Sequence, residues 1–150
     1  MAIHLAIQDL AAMQRLANQL ATQLFPGFVL CLSGDLGAGK TTFTQFLGRA
    51  LGIRDTINSP TFTLMKSYDE GRLELVHIDA YRLETSGGDA ALEEAIDAAE
   101  VAVIEWYEYI LENLPKTYLS IHLHHEGGER RRLTIEGEGR YAAIAEALSA

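Results

Sequence analysis

Eight consecutive residues, Gly34-Asp35-Leu36-Gly37-Ala38-Gly39-Lys40-Thr41, satisfy the pattern G-x-x-x-x-G-K-[ST]. Glycines let a backbone curl tightly and aim several N–H groups at phosphate oxygens. A helix starting at Lys40 adds positive field at the same place. Lys40 is the mobile charge suited to β- and γ-phosphates, and the Thr41 hydroxyl suits Mg2+. Thr42 reads as a helix residue or a secondary phosphate contact. Phosphate chemistry of this kind also needs acids to organise metal and water. Leu75-Val76-His77-Ile78-Asp79 and Val101-Ala102-Val103-Ile104-Glu105 each end an apolar run in an acid. In an open α/β sheet ligands gather at the carboxyl ends of parallel strands, an edge both acids can reach. One acid suits the metal, and the other suits water or a segment that responds to phosphate. Taken singly, either is equally a solvated acid at a strand end.

Neighbouring residues carry weaker signals. His77 shares a strand face with Asp79, which suits a satisfied buried histidine as well as a site residue. Arg82 suits a structural ion pair better than a phosphate contact. Cys31 sits in an apolar run and reads as core rather than nucleophile.

The elements that must position these residues follow from periodicity. Leu10, Met13, Leu16, Ala17, Leu20 and Leu24 recur at three- and four-residue steps and predict a helix over 7–24. Asp9 is its expected cap, and Pro26-Gly27 ends it. Phe28 to Leu32 predicts a strand buried on both faces. A helix is expected from Lys40 to Leu51. The stretch Asn58 to Leu64 opens on a Ser-Pro turn signal and moves into strand-forming residues. A hairpin turn over 68–71 leads to a strand over 73–78, then a helix over 88–100 and a buried strand over 101–104. Tyr118 to His124 and Arg131 to Glu136 form a half-exposed hairpin about Gly127-Gly128, and 141–148 closes as a helix. This order predicts the α/β class: a P-loop NTPase-like three-layer domain with a mixed, mostly parallel central sheet and an antiparallel hairpin edge. At 150 residues, 1–150 is expected to be a single domain.

Composition narrows the partners. Twelve Lys plus Arg against twenty-one Asp plus Glu give a net charge of −9. A surface this acidic is a poor independent binder of nucleic acid, so any RNA is expected to be held by a basic partner. One cysteine excludes an internal disulfide. No apolar run approaches the roughly 20 residues of a membrane helix. The sequence carries no secretory signal pattern, so a cytoplasmic location with no membrane contact is expected.

Four motifs occur in order: 34–42, then Ser59-Pro60-Thr61-Phe62-Thr63-Leu64, then His77-Ile78-Asp79-Ala80-Tyr81-Arg82-Leu83, then Ile104-Glu105-Trp106. Together they resemble the TsaE (YjeE) family of bacterial ATPases, across residues 34 to 106. The phosphate loop alone is shared by many families, and the set of four is far more specific. The resemblance implies Mg-dependent ATP binding and slow hydrolysis in threonylcarbamoyladenosine modification of tRNA. The partners it implies are TsaD and TsaB, with tRNA met only indirectly through the complex. Carried over by motif, Asp35, Leu36, Gly37, Ala38, Gly39, Lys40, Thr41 and Thr42 contact the nucleotide. Thr41 and Glu105 hold Mg2+, and Asp79 acts in hydrolysis through water or the metal's surroundings. Thr61 sits in a loop responsive to the γ-phosphate. Trp106 lies near the nucleotide or a partner-binding face, or else is an ordinary core residue. Tyr107 departs from the Pro or Ala often found there, which bears on the local backbone path.

Other readings compete. Arg130-Arg131-Arg132 reads as a charged edge strand that discourages aggregation, with a basic contact to tRNA or a partner as the second reading. A small-molecule kinase would use the same loop and could use these arginines as a lid. A GTPase is disfavoured because no Asn-Lys-x-Asp motif occurs. A nucleotide-gated adaptor differs from the ATPase only in whether hydrolysis matters.

Overall fold

A computed structural model of the chain describes residues 2–35, 37–58, 60 and 64–149. Its strands are β1 (Ala2–Ile7), β2 (Phe28–Gly34), β3 (Met65–Tyr68), β4 (Leu75–Asp79), β5 (Val101–Glu105), β6 (Leu119–Gly127) and β7 (Arg130–Glu136). Its α-helices are α1 (Leu10–Ala21), α2 (Lys40–Ala50), α3 (Ala90–Ala98) and α4 (Arg140–Ser149), with short 3₁₀ segments at Tyr81–Leu83 and Tyr107–Asn113.

The strands form one sheet in the order β1-β7-β6-β2-β5-β4-β3. The central run β6-β2-β5-β4 is parallel. The pairs β1-β7, β7-β6 and β3-β4 are antiparallel, so both margins of the sheet turn back on themselves. Alternation along β2 explains the layering. Leu30 and Leu32 join a core with Met13 and Leu20 of α1, Phe43 and Leu47 of α2, and Ile144 of α4. Val29 and Cys31 face the other side, against Leu92 and Ile96 of α3 and Ile110. Each fully buried Leu or Ile is worth roughly 2 kcal/mol. A strand apolar on both faces is thus held between two helical layers, as its unbroken apolar run predicts.

Most element ends fall within one to three residues of expectation, and two differences bear on how the sheet is read. The periodic stretch over 7–24 is helical from Leu10, the residue after the expected cap Asp9, and Ile7 instead ends β1, where it pairs with Arg131. β1 has a period-two signal in Ile3, Leu5 and Ile7, of which only Ile7 falls within the 7–24 stretch; the strand was not anticipated. The expected turn over 68–71 starts one residue later, since Tyr68 is a buried strand residue. Most of the expected strand over 58–64 lies outside the described residues.

Asp9 does cap α1: its Oδ1 accepts from the Ala12 N–H at 2.8 Å. Asp9→Ala is expected to lower stability by about 1 kcal/mol. Urea unfolding followed by circular dichroism reads this loss directly, and an unchanged midpoint would remove the cap from the account.

The fold places three sequence signals side by side. Glu105 of β5 is in register with Leu32 of β2 on one side and Asp79 of β4 on the other. All lie at the carboxyl edge of the parallel strands, where β2 runs into the glycine-rich loop. Among the described residues no helix is long and apolar enough to cross a membrane.

Candidate nucleotide-binding site

The loop leaves β2 at Gly34, whose φ is +146°. A Cβ there would lie 2.6 Å from the Leu123 carbonyl oxygen of β6, so the close approach of loop to neighbouring strand needs glycine. Gly39, at φ +109°, caps α2 without a side chain. The first N–H groups of α2 therefore face the loop with no helical acceptor, which makes an anion cradle. A Cβ at Gly37 would meet nothing within 4 Å, so this side of the loop is open. The Lys40 side chain is buried and folds back over the loop. Its Nζ donates to the Gly34 carbonyl at 2.9 Å and lies 4.5 Å from the centre of the Trp106 ring.

The acids stand beside it. Leu32 and Val103 belong to the core shared with α1 and α2. Strand alternation puts Glu105 on that same face, with His77 and Asp79 beyond Leu75 of the same core. This is the face on which α2 carries Lys40 and Thr41. Glu105 is buried, and its Oε2 accepts from His77 Nε2 at 2.6 Å. His77 is fully buried, and its Nδ1 has no hydrogen-bond partner among the described residues. Asp79 is half-buried, and its Oδ1 accepts from the Tyr81 N–H at 3.0 Å, which starts the short 3₁₀ turn. Among the described residues no three His, Cys, Asp or Glu side chains could hold a metal together. Mg2+ does not need such a cluster, since that ion usually takes one or two carboxylates and completes its shell from substrate phosphates and water.

Trp106 follows Glu105 in a left-handed conformation, φ +58° and ψ +37°, and among the described non-glycine residues it alone has positive φ. Such a conformation costs about 1–2 kcal/mol in an L-residue. It turns the indole towards Lys40, stacks it on Tyr109 with ring centres 5.6 Å apart, and sets it edge-on to Tyr81 at 5.1 Å. A hydrogen bond to Glu84 pushes the Tyr109 hydroxyl up to about 12. Trp106 is thus half-buried against the loop lysine rather than enclosed in the core.

The family model described as "Threonylcarbamoyl adenosine biosynthesis protein TsaE" matches residues 7–133. The chain belongs to the TsaE family. It is 45% identical over 125 residues to the tRNA threonylcarbamoyladenosine biosynthesis protein TsaE of Bacillus subtilis (strain 168), covering 83% of this chain and 79% of that one. Against the Streptomyces coelicolor protein of the same name it is 39% identical over 145 residues, covering 89% and 96%. The crystal structure of Bacillus subtilis YdiB superposes with a TM-score of 0.81 at 34% identity, covering 99% of this chain and 95% of that one.

Within this TsaE-family fold the residues singled out by sequence divide clearly. Asp35, Gly37, Ala38, Gly39, Lys40, Thr41 and Thr42 form the loop and the first turn of α2, and Asp79, Glu105 and Trp106 adjoin it at the strand edge. Leu36 and Thr61 lie outside the described residues. Arg82 is exposed on the 3₁₀ turn after Asp79. Cys31 is buried, and that burial pushes its thiol well above the ordinary range, as a core cysteine requires. Two contacts escaped the sequence reading. Gln45 Nε2 donates to the Ile57 carbonyl at 2.7 Å, tying α2 to the chain that leads into residue 58. Its position one helical turn after Thr41 was the available signal. The second is Arg131, whose guanidinium reaches the loop from β7.

Proposed function

We propose that this TsaE-family chain binds ATP with Mg2+ on the 34–41 loop and hydrolyses it slowly, as an accessory ATPase in tRNA threonylcarbamoyladenosine formation with TsaD and TsaB. The observation that carries the reading is the meeting of Lys40, Glu105 and Asp79 at adjoining ends of parallel strands, on the face of the helix the loop feeds. The loop N–H groups hold the phosphates, and Lys40 exchanges the Gly34 carbonyl for phosphate oxygens. Thr41 and Glu105 hold the metal, which when bound supplies positive charge where the transferred phosphoryl group carries its negative charge. Asp79 orients the attacking water, directly or through the metal's surroundings. The bond from the γ-phosphorus to the bridging oxygen breaks as the water oxygen bonds to phosphorus; ADP leaves with the bridging oxygen, and the water's proton ends on the released phosphate or in solvent. Catalysis by this chain is positioning and charge neutralisation.

An acidic chain of net charge −9 is suited to meeting tRNA through its partners, in the cytoplasm, rather than alone. The test is phosphate release from ATP by the purified chain, alone and with TsaD, TsaB and tRNA from the same source. Slow release that rises with the partners is the expected result. No partner effect, with label passing from ATP to a small metabolite, would replace this reading with a kinase.

A further inference from the structure

We infer that Arg131 is a positioning residue for the phosphate loop, setting the direction of the Gly39 N–H by holding the Ala38 carbonyl. This rests on the nucleotide reading of the loop and adds to it a residue outside all four motifs. Arg131 sits near the start of β7, paired with Ile7 of β1 and His125 of β6. Its Nε donates to the Ala38 carbonyl at 2.6 Å, and its Nη2 faces the Gly37 carbonyl at a long 3.5 Å. Its Nη1 donates to the Gly128 and Arg130 carbonyls at 2.8 and 2.9 Å. One edge of the guanidinium grips the loop while the hairpin turn fixes its other side. The side chain is thus aimed before any ligand arrives.

The consequence follows from peptide geometry. The described peptides are trans, so each carbonyl points opposite to the N–H of the next residue. The N–H of Ala38 is already committed to the Asp35 carbonyl at 2.9 Å. The next peptide is the one Arg131 holds. Drawing the Ala38 carbonyl towards the hairpin turns the Gly39 N–H the other way, into line with the open N–H groups of Lys40 and Thr41. Gly39 has no side chain to restrain it, and a Cβ there would stand 3.6 Å from Arg131 Nε. The freedom that lets glycine make the turn is what the arginine removes. Lysine would keep the charge but not the fork, because an ammonium is a point donor on a flexible stem. The neighbours differ: Arg130 and Arg132 are exposed, and the Nε of Arg132 meets only an exposed Glu126 at 3.8 Å.

The test compares Arg131→Lys, Arg131→Gln and Arg132→Lys in the full chain. ADP affinity is read by titration calorimetry, and the Gly37 and Gly39 amide resonances are read without nucleotide. Arg131→Lys is expected to weaken ADP binding about ten-fold or more and to move the Gly39 resonance. Arg131→Gln should do the same, and it serves if the lysine variant does not fold. Arg132→Lys should change neither readout. Arg131→Lys binding ADP within about two-fold of the parent, with the Gly39 resonance in place, would overturn the inference. A parent chain that does not bind ADP would overturn the nucleotide reading instead, and the Gly39 resonance would still decide the brace.

Discussion

Lys40→Ala is expected to abolish nucleotide hydrolysis and most nucleotide affinity while leaving the protein folded. The Lys40 ammonium is buried at 8% exposure, with the Gly34 carbonyl and the Trp106 ring around it. It can donate three hydrogen bonds, and its described partners are a backbone oxygen and an aromatic face. Phosphate oxygens are far stronger acceptors for it, so the lysine is held ready rather than used. Arg131 also reaches the loop, but it is engaged by the Ala38 and Gly37 carbonyls and by the hairpin, so it does not stand in for Lys40. Removing one preorganised donor from a transition-state site lowers turnover on the order of 10²–10³-fold. Trp106 is the sole tryptophan, so its fluorescence should change with Lys40→Ala even without nucleotide. ADP titration, phosphate release and a thermal melt make the set of measurements. A folded variant with unchanged affinity and turnover would sink the assignment of the site.

The layered fold was legible where one interaction dominates. The unbroken apolar run Phe28 to Leu32 needs cover on both faces, and it receives α1, α2 and α4 on one side and α3 on the other. Helix starts were legible from caps, since Asp9 and the Gly39-Lys40 step mark α1 and α2. The first strand was not. Its burial alternates between exposed and half-covered until Ile7, because β1 is an edge strand with cover from α4 and α1 on one face alone. A weak period of two over six residues is easily passed over beside the strong period of three to four that follows it. The backbone conformation of Trp106 was also hidden. Its left-handed backbone at φ +58° is dictated by how the chain must leave β5, and nothing in Glu105-Trp106-Tyr107 announces it.

The same contrast holds at the site. The positions of Lys40, Asp79 and Glu105 were legible because each sits at the end of an element whose direction the sequence reveals. The partnership of His77 with Glu105 was half legible: the strand period put His77 on the face of Asp79, and the parallel register then set it near Glu105. Arg131 was legible only as one of three arginines on a hairpin. Its contact spans 93 residues, and it depends on β7 lying next but one to β2 across β6. Local periodicity carries no information at that distance.

Glu105 carries the second large effect. Glu105→Ala should weaken nucleotide binding in Mg2+ much more than binding without metal, but alanine changes two things at once. On the proposed assignment it removes a metal ligand, and it also strips the partner from His77, which is fully buried and whose Nδ1 already has no partner among the described residues. A buried polar group left without a partner costs about 1–3 kcal/mol, so the alanine variant should also melt lower. Glu105→Gln separates the two effects. Its amide oxygen can still accept from His77 Nε2, so the fold should stay close to the parent, while the negative charge that draws Mg2+ is gone. Losing a ligand should cost at least the roughly 10–100-fold in metal affinity that outer partners of a metal site command. ADP titrations with Mg2+ and with chelator then give a clear comparison. A glutamine variant that binds ADP less well only when Mg2+ is present identifies Glu105 as the ligand. Equal losses in both conditions would make Glu105 the holder of His77 and pass the metal to Asp79, its register neighbour on β4.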